Sequence, residues 1–469
     1  MKRIKSISRI AAVLMLTLLV AAPMFAARGK ADFTRFVALG DSYGAGVESG
    51  SLNQTHQQYS WPAIIARQAG APDFQQPLVS FPGIGNELVI TDITTFPPTI
   101  VPASGKGQPV NLSLPRPYNN LSIPGANVSD LTTLTGAQQP TGTASSFAQF
   151  ILRGQGTAVQ QAAAQHPTFI AIWIGGNDLL GSVLSGTPKA LTPTDTFRTA
   201  YNKMLDQLVA GAPDAGMVVG SLPTNPLALP VLTTVPAVLI DPSTRKPVLI
   251  GGNPIPLVGE LGDGTTGPLP LGTFVLLPYA SQIATGYGLP AILKADPRFA
   301  NLPNIGKPLL DAWTLTPAEA QQIAARAVEY NQVINDAASS RNIPVADIKR
   351  LFDKFASPQG YRVGPFVFTG AYITGGLFSL DGFHMTDLGY TLFANQYIRA
   401  INAAYGTNIP LASIATVFQN NGAFFPTQQM TSGNFLIEGM SWQVSDDASK
   451  EMLQFASPVP AKHHRAAGH

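Results

Sequence analysis

Four short clusters in this chain hold side chains that could do chemistry together: Gly40-Asp41-Ser42, Gly125, Gly175-Gly176-Asn177-Asp178 and Asp381-Gly382-Phe383-His384. A serine hydroxyl is nearly inert at neutral pH and needs a base to take its proton as it attacks a carbonyl. Six histidines are available, at 56, 166, 384, 463, 464 and 469. His384 is the one with a carboxylate three residues before it in a turn, a spacing that lets Asp381 bond the imidazole nitrogen facing away from a serine. Ser42 is therefore the candidate nucleophile, His384 the base and Asp381 its partner.

Each cluster closes an apolar run or a turn, so the elements that must carry them are legible. Val37, Ala38 and Leu39 read as a strand buried on both faces, and Gly40 marks a sharp turn at its carboxyl end. Open α/β sheets bind ligands at that edge. Asn119 to Ile123 reads as a short alternating strand ended by Pro124-Gly125. Phe169 to Ile174, six apolar residues rich in β-branched and aromatic types, reads as a central parallel strand closed by Gly175 to Asp178. Helices are predicted over 61–69, capped by Ser60 and stopped by Gly70, and over 157–165 and 197–209. Met217 to Pro223 is the next strand, Thr316-Pro317-Ala318-Glu319 is a capping box opening a helix to about Ser340, and Ile343 to Asp347 is the last strand. Thr386 caps a final helix whose stripe is Leu388, Leu392, Phe393, Tyr397 and Ile401. Strand and helix alternating in this rhythm give right-handed βαβ units and a parallel sheet covered on both sides.

Ser, Gly, Asn and His in this order, each in a turn, resemble the four blocks of the GDSL/SGNH hydrolase family. The resemblance runs through Gly40-Asp41-Ser42, Gly125, Gly175-x-Asn177-Asp178 and Asp381-x-x-His384 and spans most of the chain. It implies a three-layer α/β/α fold around a central parallel sheet, flavodoxin-like, and an oxyanion hole formed by the backbone N–H of Ser42, the backbone N–H of Gly125 and the side-chain amide of Asn177. Tyr43 stands where the family name implies leucine, and Met385 where proline is frequent. Gly40-x-Ser42-x-Gly44 also fits the nucleophile elbow of α/β-hydrolases. Too little chain precedes Ser42 to supply the strands that come before such an elbow.

Composition bounds the rest. Of 469 residues, 45% are hydrophobic and 12% charged, against about 25% in ordinary soluble chains, so the surface is unusually neutral. Met1 to Ala27 has a basic start, an apolar centre and small residues at Ala22, Ala26 and Ala27, the layout of a secretory signal peptide. Without its Lys2, Arg3, Lys5 and Arg9, 25 basic residues face 27 acidic ones, which points to no nucleic acid and no anionic membrane. Cysteine is absent, so disulfides and thiolate chemistry are excluded. Few histidines and no His-x-Glu motif argue against a metallohydrolase, so no cofactor is expected.

The expected organisation is a leader over 1–27, a hydrolase domain over 28–410, and an extension over 411–469 with a disordered tail. Within the domain, 71–117 reads as a long ordered excursion. Residues 225–309 read as a β-rich insertion that could wall the active-site rim or form a lid. The function expected is an exported esterase or lipase, periplasmic or secreted, acting on a small-molecule or lipid ester through an acyl-enzyme. Alternatives are a carbohydrate O-acetyl esterase of the same fold and a surface binding protein without activity. Oligomeric state is not legible.

Overall fold

The computed structural model describes residues 26–92, 98–241, 244, 246–364, 366–421 and 445–453. Most of the expected leader and the whole of the expected disordered tail lie outside them. At the centre is a parallel sheet of β1 (Phe36–Gly40), β2 (Phe169–Trp173), β3 (Gly216–Gly220) and β4 (Val345–Ala346), in that order. Phe36 pairs with Phe169 and Gly40 with Trp173, so β1 and β2 end level with each other. All residues of β1, β2 and β3 are buried, which is why they read as continuous apolar runs.

Residues 119–123 fall short of the predicted strand: they form one parallel bridge, Ala38 to Asn120. The segment still runs along the free edge of β1. Ala38 N–H donates to Asn119 O at 2.9 Å, Leu121 N–H to Ala38 O at 2.8 Å and Ile123 N–H to Gly40 O at 2.9 Å. The Asn119 and Asn120 amides turn inward to backbone carbonyls of Phe36 and Gly44, at 3.0 and 2.7 Å, and this replaces further ladder bonds. Counting that edge, the sheet has the flavodoxin-like order 2-1-3-4-5, whose topological switch point lies between β1 and β2.

Helices cover both faces. On one, α1 (Ser42–Ala45), α2 (Trp61–Ala69) and the late helix Asp387–Tyr405 meet: Trp61 stacks on Tyr397 at 4.7 Å, and Trp173 of β2 meets Phe393 edge-on at 5.3 Å. On the other lie α3 (Ala158–Ala164), α4 (Asn177–Leu184), α5 (Thr194–Gly211) and α6 (Pro317–Ser339), joined where Phe197 stacks on Tyr330 at 3.9 Å. Next come α7 (Ile348–Ala356) and then the late helix, α8 (Asp387–Tyr405). The signals read from sequence are present as atoms. Ser60, Thr316 and Thr386 accept from N–H groups of Ala63, Glu319 and Gly389, and Gly70 and Gly406 close their helices in the left-handed region.

Residues 225–309 contain short antiparallel pairs, among them Val258–Glu260 with Thr266–Pro268, interleaved with helical turns at Pro230–Thr233, Leu277–Tyr279 and Ala280–Ala284. Phe274–Val275 joins Val235–Pro236 to Thr314–Leu315, so the segment leaves and rejoins the body through one small sheet. Within the excursion 71–117, Leu88–Asp92 pairs with Thr99–Pro102. Two further helices, Ile414–Asn421 and Asp446–Leu453, follow α8, and Ala448 and Met452 of the second are buried in the core.

Candidate active site

The turn that carries Ser42 is built by local choices. Asp41 caps α1, its carboxylate accepting from Tyr43 N–H at 3.0 Å, and this puts Ser42 at the first helical position, where an N–H has no intrahelical partner. Ser42 is 2% exposed. Gly44 is required for α1 to lie against the edge segment, since a Cβ there would stand 2.2 Å from Ser122 Oγ.

Gly125 sits in the turn Ile123-Pro124-Gly125-Ala126, closed by Ala126 N–H donating to Ile123 O at 3.0 Å. Its φ of +80° is the value a type II turn needs at its third residue, after proline at the second. Asn177 opens α4, and its Nδ2 donates to Ala126 O at 3.0 Å. Its Oδ1 is buried and accepts nothing among the described residues. Thus the Gly125 turn is bonded to the end of β1 on one side and to Asn177 on the other.

His384 and Asp381 are both fully buried, with Nδ1 2.8 Å from Asp381 Oδ2. The same carboxylate oxygen accepts from Gly50 N–H at 2.7 Å. Oδ1 accepts from the N–H groups of His384 and Phe383, at 2.8 and 3.0 Å, and from Ser379 Oγ at 3.3 Å. Burial pushes the Asp381 carboxyl up, but the His384 charge, its ring hydrogen bond and the two backbone donors outweigh burial and hold it below the ordinary carboxylate range.

Several positioning residues escape a reading of the sequence. Gly50 is one, 331 residues from the carboxylate it serves. Ser49 is another, with its N–H on Ser379 Oγ at 2.8 Å and a left-handed φ of +50°. Tyr43, the departure from the family's leucine, is a third: its hydroxyl donates to Phe383 O, and its ring lies 5.7 Å from the His384 ring and 4.8 Å from Trp173. Ser49-Gly50 carries a turn signal but nothing that names its partner.

Ser42 and Asn177 share the wall of one cavity with Asp41, Tyr43, Trp173 and Phe383. Beyond them, Asn225 apart, it is apolar: Leu180 and Val183 of α4, Leu222 after β3, Leu229 at the start of the insertion, Ile323 of α6 and Phe352 of α7. Burial, followed by the nearby Asp178, pushes the Asp41 carboxyl up to about 8 against the Tyr43 N–H. Burial likewise raises Asp178 to about 6, opposed by the Val128 N–H at 3.1 Å. Asp41 is therefore a neutral acid beside Ser42 at pH 7. Away from this cavity, Glu48, His56 and Asp387 bring one ligand atom each within 4.8 Å of one another.

A protein-family model described as GDSL-like Lipase/Acylhydrolase matches residues 36–397. No curated protein matches the chain. Among solved structures, phospholipase A1 from Streptomyces albidoflavus NA297 is similar at 14% identity and a TM-score of 0.32, over 81% of this chain and all 100% of that one. An extracellular lipase from Streptomyces rimosus gives 15% identity and a TM-score of 0.32, over 79% and 98%. The family 3 carbohydrate esterase of Clostridium thermocellum gives 13% and 0.31, over 79% and 96%.

Proposed function

Since the chain belongs to the GDSL-like lipase/acylhydrolase family and is therefore an ester-bond hydrolase, we propose that it cleaves carboxylic esters with apolar acyl groups through an acyl-enzyme formed on Ser42. His384 takes the Ser42 proton as Oγ attacks the ester carbonyl, and gives it to the departing alcohol. Water, deprotonated by the same imidazole, then attacks the acyl carbonyl, releasing the acid and returning the proton to Ser42. Asp381 orients the ring through Nδ1 and stabilises the imidazolium formed in each half-reaction. The developing oxyanion is received by the N–H groups of Ser42 and Gly125 and by the second Nδ2 hydrogen of Asn177, the first being spent on Ala126 O.

The observation that carries this reading is one cavity, walled by Ser42 and Asn177, at the carboxyl ends of β1 and β2 where the strand order reverses. Its apolar depth favours an aliphatic acyl chain over acetyl, hence an esterase or lipase over a carbohydrate O-acetyl esterase. The insertion reaches the rim through Leu229, and Val231 N–H donates to Gly382 O at 2.8 Å, so 225–309 belongs to the hydrolase domain as part of its wall. The basic, then apolar, then small-residue run over 1–27 supports export to the periplasm or medium.

A fluorophosphonate probe and an ester assay test the roles together. The native chain is expected to label and turn over, Ser42→Ala to do neither, and Asn177→Ala to label slowly and lose about a hundredfold or more in kcat, the scale of one oxyanion donor. Labelling that persists in Ser42→Ala would assign the nucleophile elsewhere.

A further inference from the structure

Three segments that have no part in the cavity converge on His56. Glu48 belongs to a tight turn whose N–H and C=O groups both pair with Ser51, at 3.0 Å each. His56 lies in the single helical turn Gln54–Gln57, capped by Asn53. Asp387 is the first residue of α8, and Glu87 stands just before the strand Leu88–Asp92. Nδ1 of His56 is 3.2 Å from Glu48 Oε2 and 3.1 Å from Asp387 Oδ1, while Nε2 is 3.3 Å from Glu87 Oε1. Asn53 Nδ2 in turn donates to Glu87 Oε2 at 3.0 Å.

An imidazole nitrogen carries one hydrogen at most. If it sits on Nδ1 it bonds Asp387, and Glu48 Oε2, 9% exposed as a residue, faces the same nitrogen and receives no hydrogen bond. If the hydrogen sits on Nε2, toward Glu87, the Nδ1 lone pair confronts two carboxylate oxygens. In either neutral tautomer Glu48 Oε2 receives no hydrogen from the ring, so the two carboxylates at Nδ1 call for a positive charge there, a second ring proton or a metal ion.

A metal ion can supply that charge in place of the proton. The 3.1 and 3.2 Å separations match the edges, roughly 3.0–3.5 Å, of a tetrahedron or octahedron of N and O ligands about 2.0–2.2 Å from a central ion. We propose that Nδ1 of His56 and the carboxylates of Glu48 and Asp387 bind one divalent first-row cation of the Zn²⁺ or Mn²⁺ class. One imidazole with two carboxylates suits these ions better than Ca²⁺ or Mg²⁺. Glu87, accepting from Nε2–H, is the outer partner that fixes the tautomer and aims Nδ1 at the metal.

The ion's role is structural. Glu48 immediately precedes Ser49 and Gly50, whose N–H groups hold Ser379 and Asp381, and Asp387 follows His384 by three residues. A bond from Glu48 to Asp387 through a metal would therefore clamp the loop that grips Asp381 onto the head of α8. This inference is independent of the ester chemistry, and so is its test.

Full-length chain without an added polyhistidine tag, stripped with EDTA, is titrated calorimetrically with ZnCl₂, MnCl₂, CaCl₂ and MgCl₂ in turn, and its melting temperature is recorded with and without each. The expected result is one Zn²⁺ or Mn²⁺ bound per chain at this site and a rise of about 3 °C or more at a hundredfold excess over Kd. Glu48→Gln, which keeps the native histidine-rich tail as an internal control, is expected to lose that site and the rise while melting no lower than the stripped wild type. Glu87→Gln is expected to bind about tenfold more weakly or worse, and serves if Glu48→Gln fails to fold. Identical melting with every cation, and heats in the wild type equal to those in the variant, would overturn the site and leave His56 as an imidazolium held among carboxylates.

Discussion

At the scale of single residues, the two that flank Ser42 do as much as the serine to define its surroundings. Asp41 keeps its proton up to about 8 in the folded chain and releases it near the ordinary 3.8 when unfolded. Between those values the unfolded chain binds fewer protons, so this group's contribution to stability is greatest near pH 4 and falls as pH rises toward 8. Asparagine caps a helix as well as aspartate and mimics the neutral acid. Asp41→Asn is therefore expected to match the wild type in urea midpoint at pH 4.5 and to exceed it at pH 8.5; equal gaps at both values would place the charge elsewhere. Asp381 acts in the opposite sense, its depressed carboxyl losing its stabilisation only as pH falls below the ordinary carboxylate range. Tyr43 is a positioning residue. Its hydroxyl holds the carbonyl beside His384 while its ring fills the space between His384 and Trp173. Tyr43→Phe keeps the ring and removes the strut, so kcat is expected to fall about five- to tenfold, the worth of one hydrogen bond, with KM within about twofold and the fold unchanged by circular dichroism.

At the scale of elements, a polar group on α6 sets the path of the chain after β3. Asn331 is 9% exposed, accepts from Leu222 N–H at 2.7 Å and donates to Leu222 O at 2.8 Å, so it satisfies both backbone groups of the residue where the sheet gives way to the cavity wall. Asn331→Leu leaves both buried and unpaired, which costs about 2–5 kcal/mol and is read as a lower urea midpoint with unchanged slope. Asn331 is invisible in the sequence, where it is one polar residue in a long Ala-rich helix. What was legible follows from period and punctuation: β1, β2 and β3 are buried on both faces and therefore unbroken apolar runs, and α6 announces itself with Thr316 and Glu319. The segment 119–123 read as a strand because it alternates, yet its two asparagines spend their amides on neighbouring carbonyls, and side-chain competition of that kind leaves no periodic trace. The Ser, Gly, Asn and His turns were legible because their order is local at each block. Gly50 on Asp381, and His56 with Glu87 and Asp387, were not, since Gly50 lies 331 residues from its partner and His56 lies 31 and 331 residues from Glu87 and Asp387.

At the scale of the whole molecule, the apolar wall of the cavity exists only because five parts of the chain close on one another. Val183 comes from α4, Leu222 from the end of β3, Leu229 from the insertion, and Ile323 and Phe352 from the helices that follow it. Transfer of one methylene from water into such a lining is worth about 0.8 kcal/mol, or roughly a fourfold gain in kcat/KM. The activity on a series of p-nitrophenyl esters is thus expected to climb by about that factor per carbon from acetate, then level off where the cavity is full. Ile323 contributes to the lining from α6, an element separate from the Ser42, Asn177 and His384 turns, so Ile323→Trp is expected to shorten the climb without disturbing the chemistry. Its kcat/KM on octanoate should fall tenfold or more while acetate stays within about threefold of the wild type. A flat profile in the wild type, with acetate as good as octanoate, would mean that the apolar side chains only support the fold, and would move the substrate toward acetyl esters.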